Sequence, residues 1–328
     1  MHVLITGANG FVGLSLAERL AREGQLGGRP LTRLTLVDLA FPDTSSSEGV
    51  VRRQAGDLTH AAFLDTALEG RPLDAVFHLA SIPGGMAEAQ YSLARRVNLD
   101  ATMGLLERAR TQVLKGGTPP IFVFASSIAV LGAMPASVDD DTLPRPAMTY
   151  GAHKLIGEVL VDDFSRRGWI DGRSVRLPGV LARPSAPTGQ LSAFLSNIIR
   201  ELAAGRSFVC PTSAHATTWA SSLPCVIEQL LHAATFDAAL MGGQRVITLP
   251  TLCFSMAELV ESITRVYGTA GAALVRYAPD PRIEALFGTF PPLSTERADA
   301  AGFRSDPSLD VLVRRALPQG LPVAEHMP

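Results

Sequence analysis

The sequence predicts an α/β fold, a doubly wound parallel sheet with a smaller α/β C-terminal lobe. Two observations carry this. Through the first half of the 328 residues, short apolar, β-branched runs alternate with longer segments of helical periodicity, the pattern of parallel strands joined by crossover helices. Near residue 178 the alternation breaks, and proline and glycine become frequent in "LPGVLARPSAPTGQ" (177–190). A chain of this length can fill two cores.

Taken in order, the predicted strands are "HVLIT" (2–6), "RLTLVD" (33–38), "VVRRQAG" (50–56), "DAVFHLA" (74–80), "PIFVFAS" (120–126) and "GRSVRLP" (172–178). Helical periodicity covers 11–23, 60–68, 91–114 and 149–167. Beyond the break, 191–204 and 256–267 read as helices and "GQRVITLP" (243–250) as a strand. No internal repeat or low-complexity tail is present.

Composition narrows the function classes. Hydrophobic residues make up 47% and charged residues 18%, with a net charge of −2 and no basic stripe, which argues against a nucleic-acid partner. Cys210, Cys225 and Cys253 are far apart and form no CxxC, as expected of reduced thiols. The start "MHVLITGANG" has no basic n-region, and no apolar run approaches a membrane span; the expectation is a cytoplasmic protein. The seven histidines show no HxxxH or comparable grouping, so no metal is expected.

"VLITGANGFVGLSLAERL" places Gly7, Gly10 and Gly13 between a strand and a helix. Glycines there allow a tight turn and close approach of a pyrophosphate to the helix N-terminus. The triplet alone also suits a plain βα turn. Asp38 adds discrimination: it ends the second strand, 25 residues after Gly13, where a carboxylate can accept hydrogen bonds from a ribose 2′-hydroxyl. Its charge would repel a 2′-phosphate, and Leu39 and Ala40 offer no cation, so NAD is favoured over NADP. Asp57, in "GDL", is placed to meet the adenine edge or to sit as a solvated loop residue.

In "MTYGAHKLIGEVL" (148–160), Tyr150 and Lys154 are four residues apart on a predicted helix, so they share a face. An ammonium beside a phenol favours the phenolate, giving a base able to take an alcohol proton. "FVFASSIAVLG" puts Ser126 and Ser127 at the end of a predicted central strand, where doubly wound sheets bind ligands. Either hydroxyl can hold a substrate oxygen while the other caps the strand end.

These motifs together resemble the extended short-chain dehydrogenase/reductase family, a Rossmann-type fold of NAD-dependent epimerases, dehydratases and dehydrogenases. The matching residues are TGANGFVG (6–13), Asp38, GDL (56–58), HLAS (78–81), Asn98, ASSIAVLG (125–132) and YGAHK (150–154). The resemblance implies that Ser127 is the catalytic serine, Tyr150 the acid/base and Lys154 its partner, which also holds the nicotinamide ribose. It implies cofactor contacts from Phe11 and Val12 in the glycine loop and from Leu58 beside Asp57. Leu79, Ala80 and Ser81 would cover the pyrophosphate, and Leu177, Pro178 and Val180 would line the nicotinamide. Asn98 matches a helix asparagine that supports the lysine through water. The implied organisation is an NAD-binding Rossmann domain of residues 1–178 plus about 217–250, with a substrate-binding lobe from 179–216 and 251–328. Pairing of the 91–114 and 149–167 helices across a two-fold axis would make a homodimer.

Further likeness, in "VNLDATMGLLERAR", "SRRGWIDGRSVRLPGVLARP", "APDPRIEALFGTFP" and "RADAAGF", is to the branch that oxidises the C2 hydroxyl of four-carbon sugar acids such as D-erythronate to a ketone with NAD. The implied substrate is a small sugar acid or similar polyol acid. Two departures fall where it would sit. Gly84, Gly85 and Met86 replace the branch's Ser-Gly-Glu element, and no Lys or Arg occurs between Arg206 and Arg245, where the branch carries arginines around its tryptophan. Arg183 is then the best remaining carboxylate partner, its guanidinium fork suited to two charge-assisted bonds, although it also suits a structural salt bridge. Ser81, Ser127, Tyr150, His215 and Trp219 complete the expected substrate pocket, with core packing the alternative for Trp219. The rival readings are a nucleotide-sugar epimerase or dehydratase, a uronate dehydrogenase and, outside enzymes, an NAD-sensing regulator.

Overall fold

The computed structural model describes residues 1–42, 49–181 and 191–317. Along the chain the principal strands are β1 (His2–Thr6), β2 (Arg33–Asp38), β3 (Val51–Ala55), β4 (Ala75–His78), β5 (Ile121–Ser127), β6 (Asp171–Leu177), β7 (Gly179–Val180), β8 (Thr217–Ser221), β9 (Val246–Thr248) and β10 (Leu252–Ser255). Seven of them form one parallel sheet in the order β9-β6-β5-β4-β1-β2-β3. The chain steps outward from β1 to one edge, returns to β4 on the other side, and proceeds towards the opposite edge. That reversal between β1 and β4 opens a crevice at the strands' C-terminal ends, where such sheets bind ligands.

The principal helices are α1 (Phe11–Glu23), α2 (Ala61–Leu68), α3 (Gly84–Ala89), α4 (Tyr91–Arg95), α5 (Ala101–Leu114), α6 (Thr149–Arg166), α7 (Phe194–Ala203), α8 (Leu223–Ala233), α9 (Met256–Tyr267) and α10 (Leu309–Ala316). All five residues of β1 are buried, because helices cover both faces of the sheet; its apolar run "VLI" (3–5) is therefore continuous rather than alternating. Its side chains still alternate. Val3 and Ile5 join Leu16 and Leu20 of α1 and Val226 and Leu230 of α8. Leu4 joins Leu64 and Leu68 of α2, Leu105 and Leu106 of α5, and Val161 and Phe164 of α6.

The predicted 91–114 helix is divided by a π-turn at Arg96–Asp100, a device common at functional sites. Helices α3, α8 and α10 lie outside the predicted elements. Helix α8 begins with Ser222, whose hydroxyl accepts from Cys225 N–H, and carries a proline in its first turn, a start signal legible in "SLPCV". The Gly-Gly start of α3 disfavours helix and hid that element.

A second core holds Phe194, Ile198 and Ile199 of α7, Leu259 and Ile263 of α9, and Leu312 and Val313 of α10. Helix α9 opens with a complete capping box between Ser255 and Glu258 and stops at Gly268, whose φ is 68°. Strand β8 pairs with β10 and β7 in a separate three-stranded sheet.

Candidate active site

The glycine loop sits at the C-terminal end of β1. Gly7 has φ +69°, and a Cβ there would lie 2.7 Å from Ala80 N, so conformation and space both require glycine. A Cβ on Gly13 would strike the Gly7 carbonyl. Gly10 caps α1 without a side-chain hydrogen bond, and the first turn holds no acidic residue. The helix therefore presents unsatisfied N–H groups and its positive end to an anion. Phe11 and Val12 pack, half-buried, against the α1 core.

Asp38 is pinned beside this loop: Oδ2 accepts from Asn9 N–H at 2.8 Å and Oδ1 from Leu39 N–H at 2.7 Å. Both oxygens retain accepting capacity for a ribose hydroxyl. Asp57 accepts from Thr59 N–H at 2.8 Å. Burial pushes its carboxyl up, but the bonds from Thr59 outweigh that and hold it below the usual range. Leu58 is buried in the core beneath it.

The end of β4 is braced by a chain of polar contacts. His78 is fully buried, with Nδ1 2.7 Å from Thr6 Oγ1 and Nε2 2.8 Å from Thr102 Oγ1. Burial first, and the Lys154 charge second, push it down to about 3, so it is a neutral strut. Ala80 N–H donates to Thr6 Oγ1 at 3.4 Å, and Thr102 Oγ1 donates to Asn98 O at 2.8 Å. Leu79, Ala80 and Ser81 are half-buried above this brace. The Asn98 amide is taken up by Ile82, accepting from its N–H at 2.7 Å and donating to its carbonyl at 3.1 Å. Through these bonds Asn98, carried on the π-turn, holds the 79–83 loop in place.

Ser126 and Ser127 separate clearly. Ser126 is buried and donates to Glu158 Oε1 at 2.5 Å. Ser127 is half-buried, its Oγ accepting from Ala129 N–H at 3.2 Å, and it pairs in register with Leu177 of β6. Gly151 brings α6 onto the turn after Ser127: a Cβ there would strike the Ala129 carbonyl. Tyr150 therefore lies at the helix start beside the serine strand. Lys154 is 3% exposed, its Nζ 5.6 Å from the Tyr150 ring centroid and 4.8 Å from that of Phe124. Burial pushes Lys154 down to about 7, against the opposing pull of Glu158. A buried cation poised near neutral pH beside a phenol is the arrangement acid/base chemistry needs.

On the substrate side, Glu88 of α3 accepts from Thr149 N–H at 2.5 Å and caps α6, while Gly84 leaves space for Met148, whose Cε lies 2.7 Å from the Cβ position. Leu177 is half-buried beside Ser127, and Pro178 and Val180 are buried. His215 is exposed, and Arg183 lies outside the described residues. Trp219 belongs to the core. It is fully buried, donates Nε1–H to Pro291 O at 2.7 Å, stands edge-on to Phe290 at 5.3 Å, and packs with Val130, Leu131 and Val138. An indole with a satisfied N–H in an apolar cluster is a core residue. Glu158 and Arg176 escaped the sequence reading, although a carboxylate one turn beyond Lys154, on the same face, was the available signal. Among the described residues no group of three or more His, Cys, Asp or Glu could hold a metal ion, and no helix is long and apolar enough to cross a membrane.

A glycine loop fitted to a pyrophosphate, an acidic strand end for the ribose and a Tyr-Lys pair define an NAD-dependent oxidoreductase acting on a CH–OH donor. The chain belongs to the NAD dependent epimerase/dehydratase family, whose profile matches residues 3–217. It is 41% identical over 320 residues to a D-erythronate dehydrogenase of Cupriavidus necator, covering 96% of this chain and 97% of that one. A D-erythronate dehydrogenase of Haemophilus influenzae is 31% identical, covering 96% and 98%. The crystal structure of a nucleoside-diphosphate-sugar epimerase from Agrobacterium tumefaciens superposes with a TM-score of 0.88 at 35% identity, covering 95% of this chain and 92% of that one.

Proposed function

We propose that this chain oxidises the C2 hydroxyl of a small sugar acid of the D-erythronate type to the 2-keto acid. The observation that carries this reading is the 41% identity, over nearly the whole of both chains, to a protein named for that activity. NAD, when bound, supplies the hydride acceptor. Gly7, Gly10 and Gly13 would hold its pyrophosphate and Asp38 its adenosine ribose. Ser127 Oγ and the Tyr150 phenol hydrogen-bond the reacting hydroxyl; Tyr150, as phenolate, takes its proton while C2 gives up its hydride. The Lys154 ammonium stabilises the phenolate. The acid lies between the sheet end and the lobe of 179–216 and 251–328, with Arg183 as carboxylate partner.

Four- to six-carbon sugar acids supplied with NAD test this. D-erythronate or a near homologue is expected to give stoichiometric NADH, followed at 340 nm, and a 2-keto acid. The epimerase structure motivates a second reading, in which nucleotide sugars are converted with no net NADH. That outcome, with no free acid oxidised, would overturn the assignment; a lactone product would move it to uronate oxidation.

We further propose a cytoplasmic homodimer. Ile156 and Val159 of α6 are 44% and 62% exposed, and Leu114 of α5 is 65% exposed, an apolar surface suited to a second copy. The three cysteines are free thiols, in keeping with a reducing compartment. Protein recovered from the soluble cell fraction is expected to sediment at twice the 34.8 kDa chain mass; a monomer at micromolar concentration would remove the dimer.

A further inference from the structure

We propose that Glu158 is a positioning residue for the oxidation, its carboxylate locking together the three elements that carry Ser127, the Tyr150–Lys154 pair and the Leu177–Pro178 segment. This rests on the roles given above to Ser127, Tyr150 and Lys154. Glu158 Oε1 accepts from Ser126 Oγ at 2.5 Å and from Arg176 Nε at 2.9 Å, while Oε2 accepts from Arg176 Nη2 at 2.8 Å. Ser126 is 1% exposed, Glu158 2% and Arg176 8%. Each partner immediately precedes a segment of the site: Ser126 leads into Ser127 on β5, and Arg176 into Leu177 on β6. Ser126 and Arg176 are register partners, and Glu158 lies one turn beyond Lys154 on α6. Gly157 brings that turn down onto β5, since a Cβ there would meet the Phe124 ring. One carboxylate thus fixes α6 against both strands beside the reacting groups.

Stability alone does not account for the arrangement, because apolar residues of similar volume commonly replace a buried ion pair without loss. Electrostatics supply a second role. The groups that act on Lys154 are Tyr150 and Glu158 on its own helix, the Phe124 ring on β5 and the neutral His78 on β4. Arg96 of the π-turn is exposed, and the His153 ring lies tilted against that of Tyr91. Glu158 is the anion that sustains the Lys154 charge against burial.

Glu158→Gln, close in shape but uncharged, is expected to lower kcat at least about tenfold while the KM for NAD changes by less than about threefold. The alkaline limb of kcat, where Lys154 loses its proton, moves to lower pH. The double variant Glu158→Leu/Arg176→Met removes both charges; it should recover the wild-type Tm but neither kcat nor the limb. Recovery of kcat together with Tm, or a wild-type kcat and pH profile in Glu158→Gln, would overturn the proposal. If Glu158→Gln does not fold, Glu158→Asp, which keeps the charge but withdraws it by one methylene, is judged by the same two quantities. Tyr150→Phe, run alongside, reports on the catalytic assignment separately: full turnover there removes the assignment itself, whereas its loss beside an unaltered Glu158→Gln removes only the role of Glu158.

Discussion

Tyr150→Phe lowers kcat for alcohol oxidation by about 10²–10⁴-fold, the range a placed acid/base group contributes, while NADH binding by fluorescence titration stays within about twofold of wild type. The ring is retained, so contacts with Lys154, whose Nζ lies 5.6 Å from the Tyr150 centroid, and the packing of α6 on the Ala129 turn are kept. Only the phenolic oxygen goes. No neighbour replaces it as a base: Lys154 is buried behind the ring, and the neutral His78 has both ring nitrogens engaged with threonines. The Ser127 hydroxyl remains but has an alcohol's acidity. Residual activity reflects proximity and the cofactor contacts. Stopped-flow measurement of NADH formation separates the chemical step from product release, and near-normal turnover on a substrate of the wild type would sink the assignment.

The parts of the site that the sequence disclosed are those where chemistry and backbone geometry demand one residue type. Gly7 needs a positive φ and has Ala80 against it; Tyr150 and Lys154 need a fixed spacing. These constraints are local and leave a local trace. What escaped depends on contacts distant in the chain. Ser126 and Ser127 are adjacent and chemically alike, and only Glu158, thirty-two residues on, withdraws one of them into the core. Trp219 was as plausible in a pocket as in a core until Pro291 supplied its acceptor, 72 residues later. The π-turn at Arg96–Asp100 adds a residue within an unbroken helical pattern, which periodicity cannot register. The Asn98 it carries binds Ile82, sixteen residues back in the chain. Elements behave likewise: strands buried on both faces stood out, whereas α3 begins with glycines and shows no helical period.

Lys154→Met impairs catalysis yet stabilises the fold. Without the ammonium, a phenol titrates near ~10, so kcat at pH 7 falls by on the order of 10²-fold and the ascending limb of the pH profile moves alkaline. The stability effect has the opposite sign. The folded chain lowers this lysine from 10.5 to about 7, so at neutral pH and below, folding must bury a charge that the unfolded chain keeps in water. The corresponding cost is on the order of 3–5 kcal/mol, and methionine, of similar length and reach, does not incur it. Between pH 7 and 10.5 the unfolded wild type binds more protons at this site than the folded protein. Its stability therefore rises with pH across that window, and the advantage of methionine shrinks towards zero. Thermal melts of the cofactor-free proteins check this: the variant should melt several degrees higher at pH 6, and the two curves should converge by pH 10. A variant that melts lower at pH 6 would mean that the Phe124 and Tyr150 rings and Glu158 over-compensate the burial of the ammonium. The lysine would then be a structural element of α6 rather than a strained group held for catalysis. The expected pattern instead identifies Lys154 as a place where the fold gives up stability to hold a charge beside the reacting phenol.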